Sequence, residues 1–197
     1  MKRVITLFLL IGVTMFFCSC SENNSTAPEL SQSDQVTTTM SKMKTSFAGT
    51  SNWAADIGLE SWTTLPNGKT KILGMASEWV EATDCDLVNG QSFWNVNWLI
   101  NSDWTRAKLW GKADINVGVE EVGDPVLGTW ELSWQGKLTE GVLDPDIGFF
   151  VGGKIVVKAI GKGKSGIVKG MVGHWTYTMN IAEGFVYMSE GFIANIR

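Results

Sequence analysis

The chain has 197 residues, a formal net charge of −4 and 44% hydrophobic residues. Its acidic excess argues against general binding to nucleic acid. It has one histidine and three cysteines, and it lacks the H-E-x-x-H and C-x-x-C motifs of metal and redox sites.

The N-terminal segment has the features of an export signal. A positive start, MKR, precedes the apolar run VITLFLLIGVTMFF, which is too short to span a bilayer comfortably. The next residues, FCSC at 17–20, resemble the lipobox of bacterial lipoproteins, in which a cysteine is lipidated and becomes the new N-terminus. The resemblance implies a signal peptide over residues 1–19 and a lipid on Cys20. Cleavage before Cys18, or an ordinary secretory signal with two incidental cysteines, are the alternatives.

Residues 20–46 are predicted to form a flexible tether. They are rich in Ser, Thr, Asn and Gln and contain no Trp, Phe or Tyr, so they cannot bury enough apolar surface to order themselves. Such a tether would hold a domain on the order of 25 to 30 Å from the lipid. By resemblance to Gram-negative lipoproteins, Ser21 in the place of an aspartate favours the outer membrane. With Cys20 lipidated, Cys85 alone remains in the body, which excludes an intramolecular disulfide.

Residues 47–197 form one domain-sized segment, and its apolar residues recur with a period of two. In TWELSWQGKL, at 129–138, Trp130 and Trp134 share one face with two leucines, while polar side chains occupy the other. The same alternation occurs at 94–100 and 108–115. Other runs rich in β-branched and aromatic residues are also predicted strands: 70–82, 148–160, 166–179 and 184–197.

With a first strand near Phe47, these runs predict about eight strands. They are separated by turn formers such as Asn89-Gly90, and connections this short make neighbouring strands antiparallel. An antiparallel sheet of this size removes its open edges by closing on itself. The sequence therefore predicts an all-β fold, a single antiparallel β-barrel of about eight strands, with a β-sandwich as the alternative.

The stretch AIGKGKSG at 159–166 is similar to the end of a phosphate-binding loop. The motif G-x-x-x-x-G-K-[ST] would need a glycine where Lys158 stands. A phosphate loop must also run from a strand into a helix, whereas this stretch lies between two strand-like runs. Residues 161–166 are therefore predicted to form a hairpin turn.

Two longer segments carry a family resemblance. GTWELSWQGKL and GKIVVKAIGKGKSGIVKGMVG, followed by a final apolar strand, are similar to the glycine-rich barrels of the allene oxide cyclase and dirigent-like superfamily. The resemblance implies a barrel with an internal cavity, and it assigns no site residue. Gly128-Thr129-Trp130 also resembles the G-x-W of lipocalins and avidins, although in those families it lies on the first strand.

Few residues suggest catalysis. His174 is the single histidine and the weak candidate for an acid or base near neutral pH. Cys85 stands between Asp84 and Asp86, whose charges would raise the pKa of its thiol and disfavour a reactive thiolate. The same aspartates lack the ligand spacing of a calcium loop. We therefore expect no metal and no cofactor.

The ten tryptophans are the strongest signal in the composition. Each buries a large apolar area, so a filled core is the simple explanation. The other explanation is a pocket or platform for an apolar ligand or a sugar ring, with these candidates: Trp94, Trp98, Trp130, Trp134 and Trp175.

Three functions follow from these expectations. The first is a non-enzymatic, lipid-anchored envelope protein that binds a small apolar molecule, a glycan or an envelope protein. The second is a cyclase- or isomerase-type enzyme with a cavity in which His174 or a buried carboxylate acts as acid or base. The third is a structural or assembly lipoprotein without a ligand.

Overall fold

A computed structural model describes residues 44–121 and 123–195, and the fold of this part is all-β. The strands are β1 Lys44–Gly58, β2 Ser61–Thr64, β3 Thr70–Thr83, β4 Gly90–Ile100, β5 Ala107–Val117, β6 Gly128–Asp144, β7 Phe149–Gly166, β8 Met171–Asn180 and β9 Val186–Asn195. One 3-10 turn, Ile181–Glu183, precedes β9. Among these residues no helix is long and apolar enough to cross a membrane. The predicted signal peptide, Cys20 and most of the predicted tether lie outside the described residues.

The nine strands belong to one antiparallel sheet. From β3 to β9, strands adjacent in sequence pair with each other. β1 pairs with β9 on one side and with β3 on the other, so eight strands form a closed ring of hydrogen-bonded pairings. β2 pairs with residues 70–73 of β3, and β1 pairs with residues 76–83 on the same side of β3. Each of the eight ring strands thus has a partner on both sides, which removes the open edges that favour aggregation.

Because neighbouring strands are antiparallel, successive connections lie alternately at the two ends of the ring. The β4–β5, β6–β7 and β8–β9 connections and strand β2 lie at one end, which we call the open end. The β3–β4, β5–β6 and β7–β8 connections and the start of β1 lie at the other, which we call the closed end. The predicted tether therefore joins the domain at the closed end.

The core lies inside the ring because side chains alternate along each strand. On β4 every second residue from Gly90 to Ile100 is buried, and on β6 the buried positions run from Gly128 to Leu138 with the same period. The intervening residues point outward and are mostly polar or charged. Lys164 and Glu131, for example, form an ion pair of 2.7 Å on the outer face of β7 and β6.

Glycines make room for large rings in the closed half. Trp175 lies against Gly161 and Gly173, where an added Cβ would come within 2.6 and 2.4 Å of its ring. Trp175 also packs against Trp130 in an edge-to-face pair with centroids 5.2 Å apart. These two strand glycines therefore allow the indole ring to approach the backbone closely.

The structure corrects three details of the sequence prediction. β1 begins at Lys44, before the predicted boundary at Phe47, because Thr45 and Ser46 already pair with β9. Residues 161–166 form no turn: they continue β7, and the chain reverses at residues 167–170 instead. The short strand β2 was not predicted, since its four residues, SWTT, show no alternation long enough to detect.

Candidate functional site

A cavity of about 330 Å³ occupies the open half of the ring. Nine of its eighteen lining residues are aromatic. Five are the tryptophans Trp53, Trp79, Trp94, Trp98 and Trp134, and four are Phe149, Phe150, Phe185 and Tyr187. Aliphatic side chains and methionines complete most of the wall. A concave, largely apolar site of this kind and size is typical of small-molecule pockets.

The predicted binding tryptophans divide into two groups. Trp94, Trp98 and Trp134 line the cavity, and the rings of Trp94 and Trp134 lie 5.4 Å apart. Trp130 and Trp175 lie in the packed closed half, with 0% and 2% of their surface exposed, and neither is among the lining residues. The predicted tryptophans thus divide between a packed core in one half of the ring and the lining of a cavity in the other half.

The indole N–H groups at the cavity differ in their partners. Trp79 Nε1 donates to Ser77 Oγ at 2.9 Å, and Trp94 Nε1 donates to Ser92 Oγ at 3.0 Å. The buried Nε1 atoms of Trp98 and Trp134 have no hydrogen-bond acceptor within the described part of the chain. A buried donor without a partner is costly, and these two N–H groups are such donors within the packed wall of the cavity.

A buried carboxyl group lies behind the cavity wall. Glu81, on β3, is 1% exposed and accepts hydrogen bonds at Oε1 from Ser51 Oγ at 2.9 Å and Ser92 Oγ at 2.8 Å. Because Ser92 also accepts from the Trp94 indole, a hydrogen-bonded chain connects the lining of the cavity to this carboxyl. Burial raises the pKa of Glu81 to about 7, although the hydrogen bonds from Ser92 and Ser51 partly oppose the shift.

Two tyrosines, the buried Tyr177 and the half-buried Tyr187, lie next to this polar cluster. Burial raises the pKa of Tyr177 well above its usual value, and the negative charge of nearby Glu81 raises it further. The Tyr177 ring contacts Trp94 edge-to-face with centroids 5.1 Å apart, and it lies 6.0 Å from the ring of Tyr187, which lines the cavity. Burial alone raises the pKa of Tyr187. Both phenols therefore remain neutral at physiological pH.

The candidates His174 and Cys85 lie away from the cavity. His174 is half-buried on the outer side of β8, where it stacks on Phe192 with centroids 4.7 Å apart. Cys85 lies in the β3–β4 connection at the closed end, where burial first and then the charges of Asp84 and Asp86 raise the pKa of its thiol. The direction predicted for the Cys85 pKa is thus confirmed. Among the described residues, no group of three His, Cys, Asp or Glu side chains could hold a metal ion.

The mouth of the cavity is aromatic and partly exposed. Trp53 and Phe185, which are 46% and 52% exposed, face each other there with centroids 6.4 Å apart. Asp56 Oδ1 accepts from Trp53 Nε1 at 3.4 Å and is the one charged residue of the lining. Beside the mouth, Trp104 adopts φ 57°, an uncommon conformation for a bulky residue, and its ring stacks on Trp62 at 6.1 Å.

Sequence reasoning missed several of these residues, although a signal for some was present. Ser77, Trp79 and Glu81 follow one another at a period of two on β3, which marks them as one inward-facing row. Trp53 and Phe185 come together from opposite ends of the chain, and only the pairing of β1 with β9 could have revealed their contact.

No known protein family, curated protein or solved structure matches this chain. The assignment of a function therefore depends on the geometry of the cavity and its surroundings.

Proposed function

We propose that this protein is a lipid-anchored β-barrel of the bacterial envelope, held at the outer membrane through Cys20, that binds a small and largely apolar molecule. The cavity of about 330 Å³ carries this proposal, because half of its lining is aromatic and its mouth reaches the surface at Trp53 and Phe185. The closed ring of eight strands favours a barrel over a sandwich, since a sandwich keeps two separate sheets. A glycan or an envelope protein as the ligand fits less well, because both need more polar surface than this lining offers.

The cavity volume limits the size of the ligand. At ~30 Å³ for each water-sized group, 330 Å³ accommodates roughly eleven such groups. This corresponds to a small aromatic or branched aliphatic molecule rather than to a complete lipid with two acyl chains. The described residues of the closed half are packed, so the ligand enters from the open end.

Native mass spectrometry of the protein, released gently from cells of its own source, tests ligand binding. We expect a discrete added mass on the wild-type chain. Val157→Phe, on the cavity side of β7, should abolish the added mass by filling the space, whereas Val156→Phe, on the outer side of the same strand, should retain it. A bare wild-type mass, or equal retention by both variants, would contradict the proposal.

Membrane fractionation tests the anchor separately. Cys20→Ser should move the protein from the membrane fraction to the soluble fraction, and Cys18→Ser is the matched control that should leave it in place. The opposite result would assign cleavage and lipidation to Cys18. Release by neither substitution would contradict lipid anchoring through these cysteines.

An enzyme of the isomerase kind is the second candidate, and Glu81 is the observation that favours it. A carboxyl with a pKa of about 7, connected to the cavity lining through Ser92 and Trp94, has the proton affinity that a general acid or base needs near neutral pH. If the protein is an enzyme, Glu81→Gln should carry unconverted substrate while the wild type carries product. The same resident mass, identified as the same compound, in both proteins would exclude this role for Glu81.

A further inference from the structure

We infer that the ligand of the cavity is an organic cation, a hydrophobic amine or quaternary ammonium compound. This inference rests on the proposed function and specifies the chemistry of the ligand. Five tryptophans and Tyr187 surround the space, and the face of an indole is the aromatic surface that attracts a cation most strongly. A wall of aliphatic side chains would offer the same apolar area without this attraction.

The charge around the cavity has the sign that a cation requires. Asp56, held beside Trp53 at the mouth, is the charged residue of the lining, and no lysine or arginine is among the lining residues. The connections of the open end add further acids: Glu60, Asp103, Asp146 and Glu183. Because these acidic residues repel an approaching anion, an anionic ligand would be disfavoured at this entrance.

The two cations in the connections of the open end, Lys69 and Arg106, lie away from the cavity, whereas Lys154 of β7 lines a third pocket together with Glu183. Lys69 and Arg106 line a separate groove of about 680 Å³ on the outer surface, together with Lys108 and Lys137 from β5 and β6. They are therefore placed where they do not neutralise the entrance to the cavity.

The site thus combines two elements of cation recognition. The aromatic wall provides cation–π attraction in a space largely shielded from water, where this attraction is strongest. Asp56 at the mouth provides the negative charge that attracts the ligand.

Three probes of equal size and shape test the inference: benzyltrimethylammonium, its uncharged isostere neopentylbenzene, and the anion benzylsulfonate. Each is titrated into the purified protein, and binding is followed by calorimetry and by tryptophan fluorescence. We expect benzyltrimethylammonium to bind at least ~10-fold more tightly than neopentylbenzene, and benzylsulfonate to bind most weakly. Equal or tighter binding of neopentylbenzene would overturn the inference and leave the proposed function standing. Binding of none of the three would count against both.

Two variant pairs locate the effect. Trp53→Leu should weaken the binding of benzyltrimethylammonium by roughly 3- to 10-fold and that of neopentylbenzene by less. The reason is that leucine keeps the apolar contact but removes the indole face. Trp110→Leu, at an exposed position on the outer side of β5, is its control. Asp56→Asn should weaken the binding of the cation alone. Asp86→Asn, at the closed end, is its control, because it removes the same charge far from the mouth. A Trp53→Leu effect equal for both probes would overturn the inference.

Discussion

The buried carboxyl of Glu81 should make the stability of this protein depend on pH in a direction opposite to that of most carboxylates. Its pKa is raised from 4.5 to about 7 in the folded protein, so the folded state binds this proton more tightly than the unfolded state. The stabilisation is complete below pH 4.5 and is lost as the pH rises through 7. A shift of this size corresponds to about 3 kcal/mol in the free energy of unfolding.

Glu81→Gln removes the titration and keeps the shape of the side chain. Between pH 5 and pH 8, the unfolding free energy of the wild type should fall relative to that of the variant by about 2 to 3 kcal/mol. Urea unfolding, followed by tryptophan fluorescence at both pH values, measures this difference. Glu190→Gln, at an exposed site on β9, controls for the same chemical change. A difference in unfolding free energy between Glu81→Gln and the wild type that stays constant from pH 5 to pH 8 would refute the reasoning.

Two substitutions in the closed half should lower stability without changing ligand affinity. Gly173→Ala places a Cβ 2.4 Å from the Trp175 ring and should cost about 1–3 kcal/mol in urea unfolding, whereas Gly58→Ala, with nothing within 4 Å, should be close to neutral. Trp130→Phe leaves the Leu87 carbonyl without the indole donor that lies 2.8 Å away and should cost about 2–4 kcal/mol, as measured in the same assay. A loss of ligand affinity in a folded Trp130→Phe protein would contradict the separation of the two halves.

The strands were predictable because one face of each strand is exposed to solvent, which makes apolar and polar residues alternate in the sequence. The alternation at 129–138 belongs to β6, and the run at 70–82 coincides with β3 to within one residue. The number of strands suggested that the sheet closes on itself. The sequence did not reveal which strands pair at the closure, since the pairing of β1 with both β3 and β9 joins distant parts of the chain. The turn prediction at 161–166 was wrong because strand glycines look like turn glycines in the sequence: Gly161 makes room for Trp175, and Gly163 lies against the backbone of Val168.

The site was only partly predictable for a related reason. Period two identifies Trp94, Trp98, Trp130 and Trp134 as inward-facing, but it does not reveal how far along the ring axis each residue lies. That position depends on the stagger between strands, which assigns Trp130 to the closed half and the other three to the cavity. A buried carboxylate was anticipated as a possible acid or base, and its identity as Glu81 required the structure.

The pairing of β1 with β9 also constrains the order of folding. Lys44 lies opposite Ala194, so the ring closes only after the last strand has been made, and the loop that closes is nearly as long as the domain. Contacts of such high sequence separation form late and slowly. A chain that stops before β9 leaves β1 and β8 as free edges and lacks Tyr187, so it cannot complete the cavity wall.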